Sequence, residues 1–102
     1  VLLEFSMFPT DVGESKSEYV SKVIDFIHNS GVKYKLTPMA TVIETDSMAK
    51  ALQIVEQAAA ILEQDSSRIY SCIKIDYRKD KQDRMQGKLD SVRTKLDKRI
   101  NT

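Results

Sequence analysis

The feature that most constrains this chain is the order in which its hydrophobic period changes along 102 residues. Residues 2–8 alternate, with Leu3, Phe5 and Met7 on one face and Glu4 and Ser6 on the other, the period of a half-buried strand. Tyr19, Val20, Val23, Ile24 and Ile27 then recur at helical spacing, and Asn29, Ser30 and Gly31 supply a stop. Alternation returns in Val32, Tyr34 and Leu36 against Lys33, Lys35 and Thr37. Pro38 ends that strand, and the β-branched run Thr41–Thr45, interrupted only by Glu44, makes a hairpin with it. Met48, Ala51, Leu52, Val55, Ala58, Ala59 and Leu62 form a broad helical stripe, and residues 68–78 alternate again through Ile69, Ile73, Ile75 and Tyr77.

Strand, helix, strand, strand, helix, strand is the split βαβ order of a ferredoxin-like α+β sandwich, two helices on one face of a four-stranded antiparallel sheet. One domain covering residues 1–102 is expected. Ser15 or Ser17 is placed to cap the first helix, with Glu18 completing a capping box from Ser15, and Asp46 or Ser47 to cap the second. An additional C-terminal helix spans about residues 82–100. Its apolar residues Met85, Leu89, Val92, Leu96 and Ile100 are spaced by four and three, a seam too narrow for a core-facing helix. Met85, Leu89, Val92 and Leu96 are therefore expected at an interface between subunits.

Composition closes off several classes of function. Hydrophobic residues are 41% and charged ones 30%, as in a globular chain. The net charge of +1 conceals a basic tail, seven cations against three acids after residue 80, but the interspersed acids mark a solvated helix face, and no nucleic-acid partner is expected. The single cysteine, Cys72, excludes an internal disulfide, and no Cys/His cluster suits a metal. No apolar run approaches the ~18 residues of a membrane span. Glu4 follows Val1–Leu3 too closely for a secretory leader, so no membrane association is expected, and the single cysteine fits a reducing, cytoplasmic setting.

Catalytic constellations are equally scarce. His28, near a glycine stop, suits a helix C-terminal cation. Cys72 has no His or Asn at a recognisable spacing and is expected as a small packed side chain. The loop Pro9–Gly13 has no phosphate-cradling pattern, and the RNA-stacking signature is missing. What remains is the sheet face away from the helices, expected to carry Glu4, Ser6, Phe8, Lys33, Lys35, Thr37, Glu44, Tyr70, Cys72, Lys74 and Asp76. Its mixture of aromatic and charged groups suits cross-strand ion pairs, an interface or a ligand site better than an enzyme.

Several segments in order resemble one family. Pro9 closes the first strand, Gly31-Val32-Lys33-Tyr34 is similar to its helix-to-strand junction, Pro38–Glu44 (PMATVIE) to its Gly-Pro-x-x-Thr-x-x-Glu-Gly hairpin, and Ile73–Lys79 (IKIDYRK) to its last strand. The family is that of the small thiamine-binding proteins related to YkoF. Thr37 and Thr45 depart from it, each standing where the family has glycine. The resemblance implies a ferredoxin-like domain that forms homodimers or homotetramers and binds thiamine or hydroxymethylpyrimidine without turning it over and without a further cofactor. It places the ligand near the first strand, the hairpin and the last strand. There Ser6 or Thr41 would donate to an aminopyrimidine, Glu44 or Asp76 would accept from it, and Tyr77 or Phe8 would face the thiazolium. An alternative with the same topology is a symmetric ACT-like regulatory or assembly domain sensing another small metabolite.

Overall fold

The computed structural model describes residues 1–13, 16–80, 83–96 and 99–101. The elements are β1 (Leu2–Pro9), α1 (Lys16–Ser30), β2 (Lys33–Leu36), β3 (Thr41–Glu44), α2 (Met48–Glu63), β4 (Ile69–Asp76) and α3 (Arg84–Leu96). The four strands form one antiparallel sheet in the order β2-β3-β1-β4. This is the α+β ferredoxin-like order expected from the periods, with α3 added. β1 runs one residue past its pattern, to Pro9, whereas the later strands are shorter than theirs: β2 begins one residue after Val32, and β4 stops at Asp76, two before Arg78.

Register fixes the faces. Leu3 lies opposite Ile43, which lies opposite Tyr34, and Phe5 lies opposite Thr41, so these side chains share the face covered by α1 and α2. Leu3, Ile27, Ile43 and Leu62 are fully buried between the layers, each worth about 1.5–3 kcal/mol relative to exposure. The other face carries Glu4, Ser6, Phe8, Lys33, Lys35, Glu44, Tyr70, Cys72, Lys74 and Asp76, as alternation requires. Across it Lys74 pairs with Glu4 at 3.9 Å, and the Phe8 and Tyr70 rings sit 5.7 Å apart. Cys72 is exposed there beside the Tyr70 hydroxyl rather than packed.

Helix ends follow local chemistry. Ser47 caps α2, its Oγ accepting from Lys50 N at 3.1 Å. Gly31 ends α1 with φ +80°, a conformation that glycine adopts freely. Ser17 lies inside α1 rather than at its cap, and Ser15 falls outside the described residues. The α2 stripe is shifted from the expected one: Ile54 is buried and Leu52 is exposed, because the face centred on Ala51, Val55, Ala58 and Leu62 takes the residue before Val55 into its margin. His28 lies in the last turn of α1, where its Nδ1 is 2.8 Å from the Tyr34 hydroxyl and the two rings meet edge-on. At the sheet edge, Ile73 and Ile75 on the helix side of β4 remain about 40% exposed, because α1 and α2 centre on β1 and leave that edge uncovered.

Candidate functional site

Two strands of unequal length create a cleft. β3 starts at Thr41, opposite Phe5, while β1 continues to Pro9 and pairs there with β4 alone. One side of β1 from Ser6 to Phe8 therefore has no neighbouring strand, and the turn between β2 and β3 overhangs the gap. Thr37 holds that turn: its Oγ1 accepts from Met39 N (3.3 Å) and Ala40 N (3.1 Å) and donates to Ala40 O (2.8 Å), while its N–H donates to the same carbonyl at 2.9 Å. A hydroxyl thus performs the closure, and no positive φ is needed at Thr37 or Thr45. Threonine at these two positions, where the resemblance led to an expectation of glycine, costs no backbone strain.

The cleft has a volume of about 360 Å3, within the range of small-molecule sites. Val20, Val23 and Ile24 of α1 wall one side, Phe5 and Met7 the floor, and Leu36 to Thr41 the other side. Thr41 is buried on the helix side of the sheet, and no described residue takes up its hydroxyl. Beyond Leu36 a second hollow of about 380 Å3 shares Val20, Ile24 and Leu36 with the first and adds Asp25, His28 and Tyr34. Nothing in the periodicity announces these walls. The Thr-Pro pair at 37–38 is the local signal that could have found the latch, since threonine hydroxyls close turns of this kind.

At the opposite end of the sheet the carboxylates are already engaged. Glu44 accepts from the first backbone amides of α3, Oε2 from Arg84 N at 2.9 Å and Oε1 from Met85 N at 3.3 Å. Asp76 Oδ2 accepts from Arg84 Nη2 at 2.6 Å and Lys88 Nζ at 2.5 Å, while Arg84 Nη1 donates to Asp76 O at 3.0 Å. Arg84 is buried by these contacts. The Arg84 guanidinium, then the Lys88 ammonium, hold the Asp76 carboxyl down at about 2. Lys33 bridges Asp83 at 2.7 Å and Glu44 at 3.8 Å. The Asp83 hydrogen bond is the main cause that raises the lysine and lowers its partner. A shallow hollow of about 250 Å3 beside Lys33, Glu44 and Asp83 also touches Tyr77.

The five residues expected around a ligand therefore occupy two places. Thr41 lines the cleft, and Ser6 contributes its stretch of β1 while alternation turns its hydroxyl to the far face. Glu44, Asp76 and Tyr77 lie at the other end: Glu44 and Asp76 both pair with Leu2, four residues or about 13 Å along β1 from Ser6. Of the expected interface residues, Met85 and Leu89 are half-buried, and Val92 and Leu96 are exposed. Among the described residues no group of three or more His, Cys, Asp or Glu is placed to hold a metal, and no helix is long and apolar enough to cross a membrane.

Comparison with known proteins adds an independent line. The profile of a family described as thiamine-binding protein matches residues 3–93. UPF0045 protein Mb1933 of Mycobacterium bovis is 34% identical over 92 residues, covering 90% of each chain. UPF0045 protein MJ1052 of Methanocaldococcus jannaschii is also 34% identical over 92 residues, 90% of this chain and 91% of that one. The crystal structure of the M. jannaschii protein superposes with a TM-score of 0.79 over 89% of this chain and 93% of the other, at 32% identity. A Thermotoga maritima protein assigned provisionally to thiamine biosynthesis or salvage shares the fold, with a TM-score of 0.77 at 23% identity over 90% and 97% of the two chains.

Proposed function

The chain belongs to the thiamine-binding protein family, and from that premise we propose that it binds thiamine or its hydroxymethylpyrimidine moiety in the cleft between β1, α1 and the hairpin, without turning it over. The observation that carries this reading is the cleft itself: apolar walls, a floor of Phe5 and Met7 on β1, and the Thr41 hydroxyl as an uncommitted polar group. Few polar groups in an apolar hollow are what orient a small heteroaromatic ligand. The adjoining hollow suits a second ring. Asp25 gives it a carboxylate and Tyr34 an aromatic face, both favourable to a permanently cationic thiazolium.

Glu44 and Asp76 have a different role in this reading. They anchor α3, and α3 then presents Met85, Leu89, Val92 and Leu96 to another subunit in a homodimer or homotetramer. No further cofactor is involved.

A thermal-shift panel of thiamine, its phosphates, hydroxymethylpyrimidine and the common amino acids tests the proposal. A pyrimidine at 100 times its Kd stabilises by about 2.7 kcal/mol. A response confined to amino acids would instead favour the ACT-like regulatory domain, and no response to any pyrimidine would remove the binding assignment. Thr41→Val, which keeps the shape and deletes the hydroxyl, is expected to weaken thiamine binding by about tenfold, read by titration calorimetry.

A further inference from the structure

The pairing of Val1 with Thr45 fixes the direction of every peptide group in β1. Val1 N donates to Thr45 O at 2.8 Å, and Thr45 N donates to Val1 O at 2.9 Å. In an antiparallel ladder such doubly bonded pairs recur at every second residue. Leu3 opposite Ile43 and Phe5 opposite Thr41 continue the series. The other side of β1 has the opposite parity, as Thr10 N shows by donating to Arg68 O at 2.9 Å on the β4 side. Odd-numbered residues of β1 thus turn N–H and C=O towards β3, and even-numbered ones towards β4.

Met7 is the next odd residue, and β3 has ended before it. Its N–H and C=O point into the cleft, where no described residue pairs with them. Met7 as a whole residue is only 8% exposed, so this donor and acceptor open into the cleft rather than onto the outer surface. Native backbones rarely leave such groups without partners. The latched turn at residues 37–40 closes the gap, leaving room for a ring rather than a fifth strand.

We propose that the Met7 N–H and C=O are the recognition edge of the cleft and read the amidine edge of a planar heteroaromatic ring. This rests on the ligand reading above and specifies its atoms. A ring nitrogen accepts from Met7 N–H, and the adjacent exocyclic amine donates to Met7 C=O. A 4-aminopyrimidine carries that order of acceptor and donor. A 4-oxopyrimidine protonated at the neighbouring nitrogen carries the reverse, setting donor against donor and acceptor against acceptor. Because the reading groups are backbone atoms, discrimination is insensitive to the side chain at position 7.

Calorimetric titration of the full chain with thiamine and with oxythiamine, its 4-oxo analogue, tests this. The expected result is oxythiamine binding on the order of tenfold to a hundredfold more weakly. Equal affinities would overturn the Met7 assignment while leaving the cleft a thiamine site. Binding of neither compound, nor of hydroxymethylpyrimidine, would overturn the ligand reading and the assignment with it. Hydrogen exchange gives a second readout: saturating thiamine should slow exchange at the Met7 amide, and an unchanged Met7 amide in a protein that binds thiamine would exclude the contact.

Discussion

At the scale of single residues, two short polar side chains hold loops: Asp11 ties two loops together on the β4 side of the sheet, and Thr37 closes the turn over the cleft. Asp11 Oδ2 accepts from Ser67 N at 2.9 Å and Ser67 Oγ at 2.7 Å, and its other oxygen accepts from Ser66 Oγ, tying the loop after β1 to the loop before β4. The Ser66 hydroxyl, then the Ser67 hydroxyl and amide, hold the Asp11 carboxyl well below its ordinary value of 3.8. A carboxylate depressed in the folded state stabilises fully above the unfolded value, and that stabilisation fades as pH falls below it. Asp11→Ala is therefore expected to lower Tm by a few degrees at pH 7, with the gap from the unsubstituted protein narrowing towards pH 2; a gap independent of pH would remove the carboxylate from the account. Thr37 holds the cleft's overhang in a similar way. Thr37→Gly deletes the hydroxyl that closes the turn and adds backbone entropy to the unfolded chain, so it should cost about 1–2 kcal/mol in denaturant unfolding and weaken ligand binding as well.

At the scale of elements, α3 differs from the rest because it is held by its first turn rather than by a face. Glu44 caps it from 40 residues away, and Asp76 clamps Arg84 and Lys88. Loss of a helix cap costs about 0.5–2 kcal/mol. Glu44→Ala should accordingly reduce helical circular dichroism by part of the contribution of α3 while the sheet signal persists. Acid should act on the same joint: Asp76 gains stability from its pair above 3.8 and loses it as pH falls towards about 2, so α3 should loosen across that interval before the sheet unfolds. The strands and the first two helices could be read in advance because their burial repeats every two or 3.6 residues and involves near neighbours. The joint could not, because Glu44 and Asp76 look like ordinary strand carboxylates until register brings both beside Leu2 and α3 arrives above them. The cleft was half legible. Thr41 was named through the family resemblance of the hairpin, but the unpaired stretch of β1 depends on β3 being shorter than β1, a difference in strand ends that periodicity leaves unmarked.

At the scale of the whole molecule, the chain exposes more surface than a compact protein of its mass. A folded monomer of 11.6 kDa is expected to present about 5,800 Å2, and this one presents 7149 Å2. Its radius of gyration, 15.1 Å, likewise exceeds the roughly 13 Å of a compact hundred-residue domain, and its extents are 47 × 28 × 22 Å. The excess of about 1,300 Å2 exceeds the roughly 800 Å2 that each partner buries in a standard interface. It is also apolar where it matters: Val92 and Leu96 on α3 are 46% and 47% exposed, and Ile73, Ile75 and Tyr77 lie open along the β4 edge. A second copy of the chain would cover these groups, and a four-and-three seam on α3 is a pattern that packs against another helix. Mass measurement in solution at tens of micromolar should therefore give a dimer or tetramer. Val92→Asp with Leu96→Asp should shift it to a smaller species with the far-ultraviolet spectrum retained, because neither side chain supports the core of its own chain. A monomeric wild-type protein would show that the stripe of Met85, Leu89, Val92 and Leu96 does not join subunits, and the exposed β4 edge would then need another explanation.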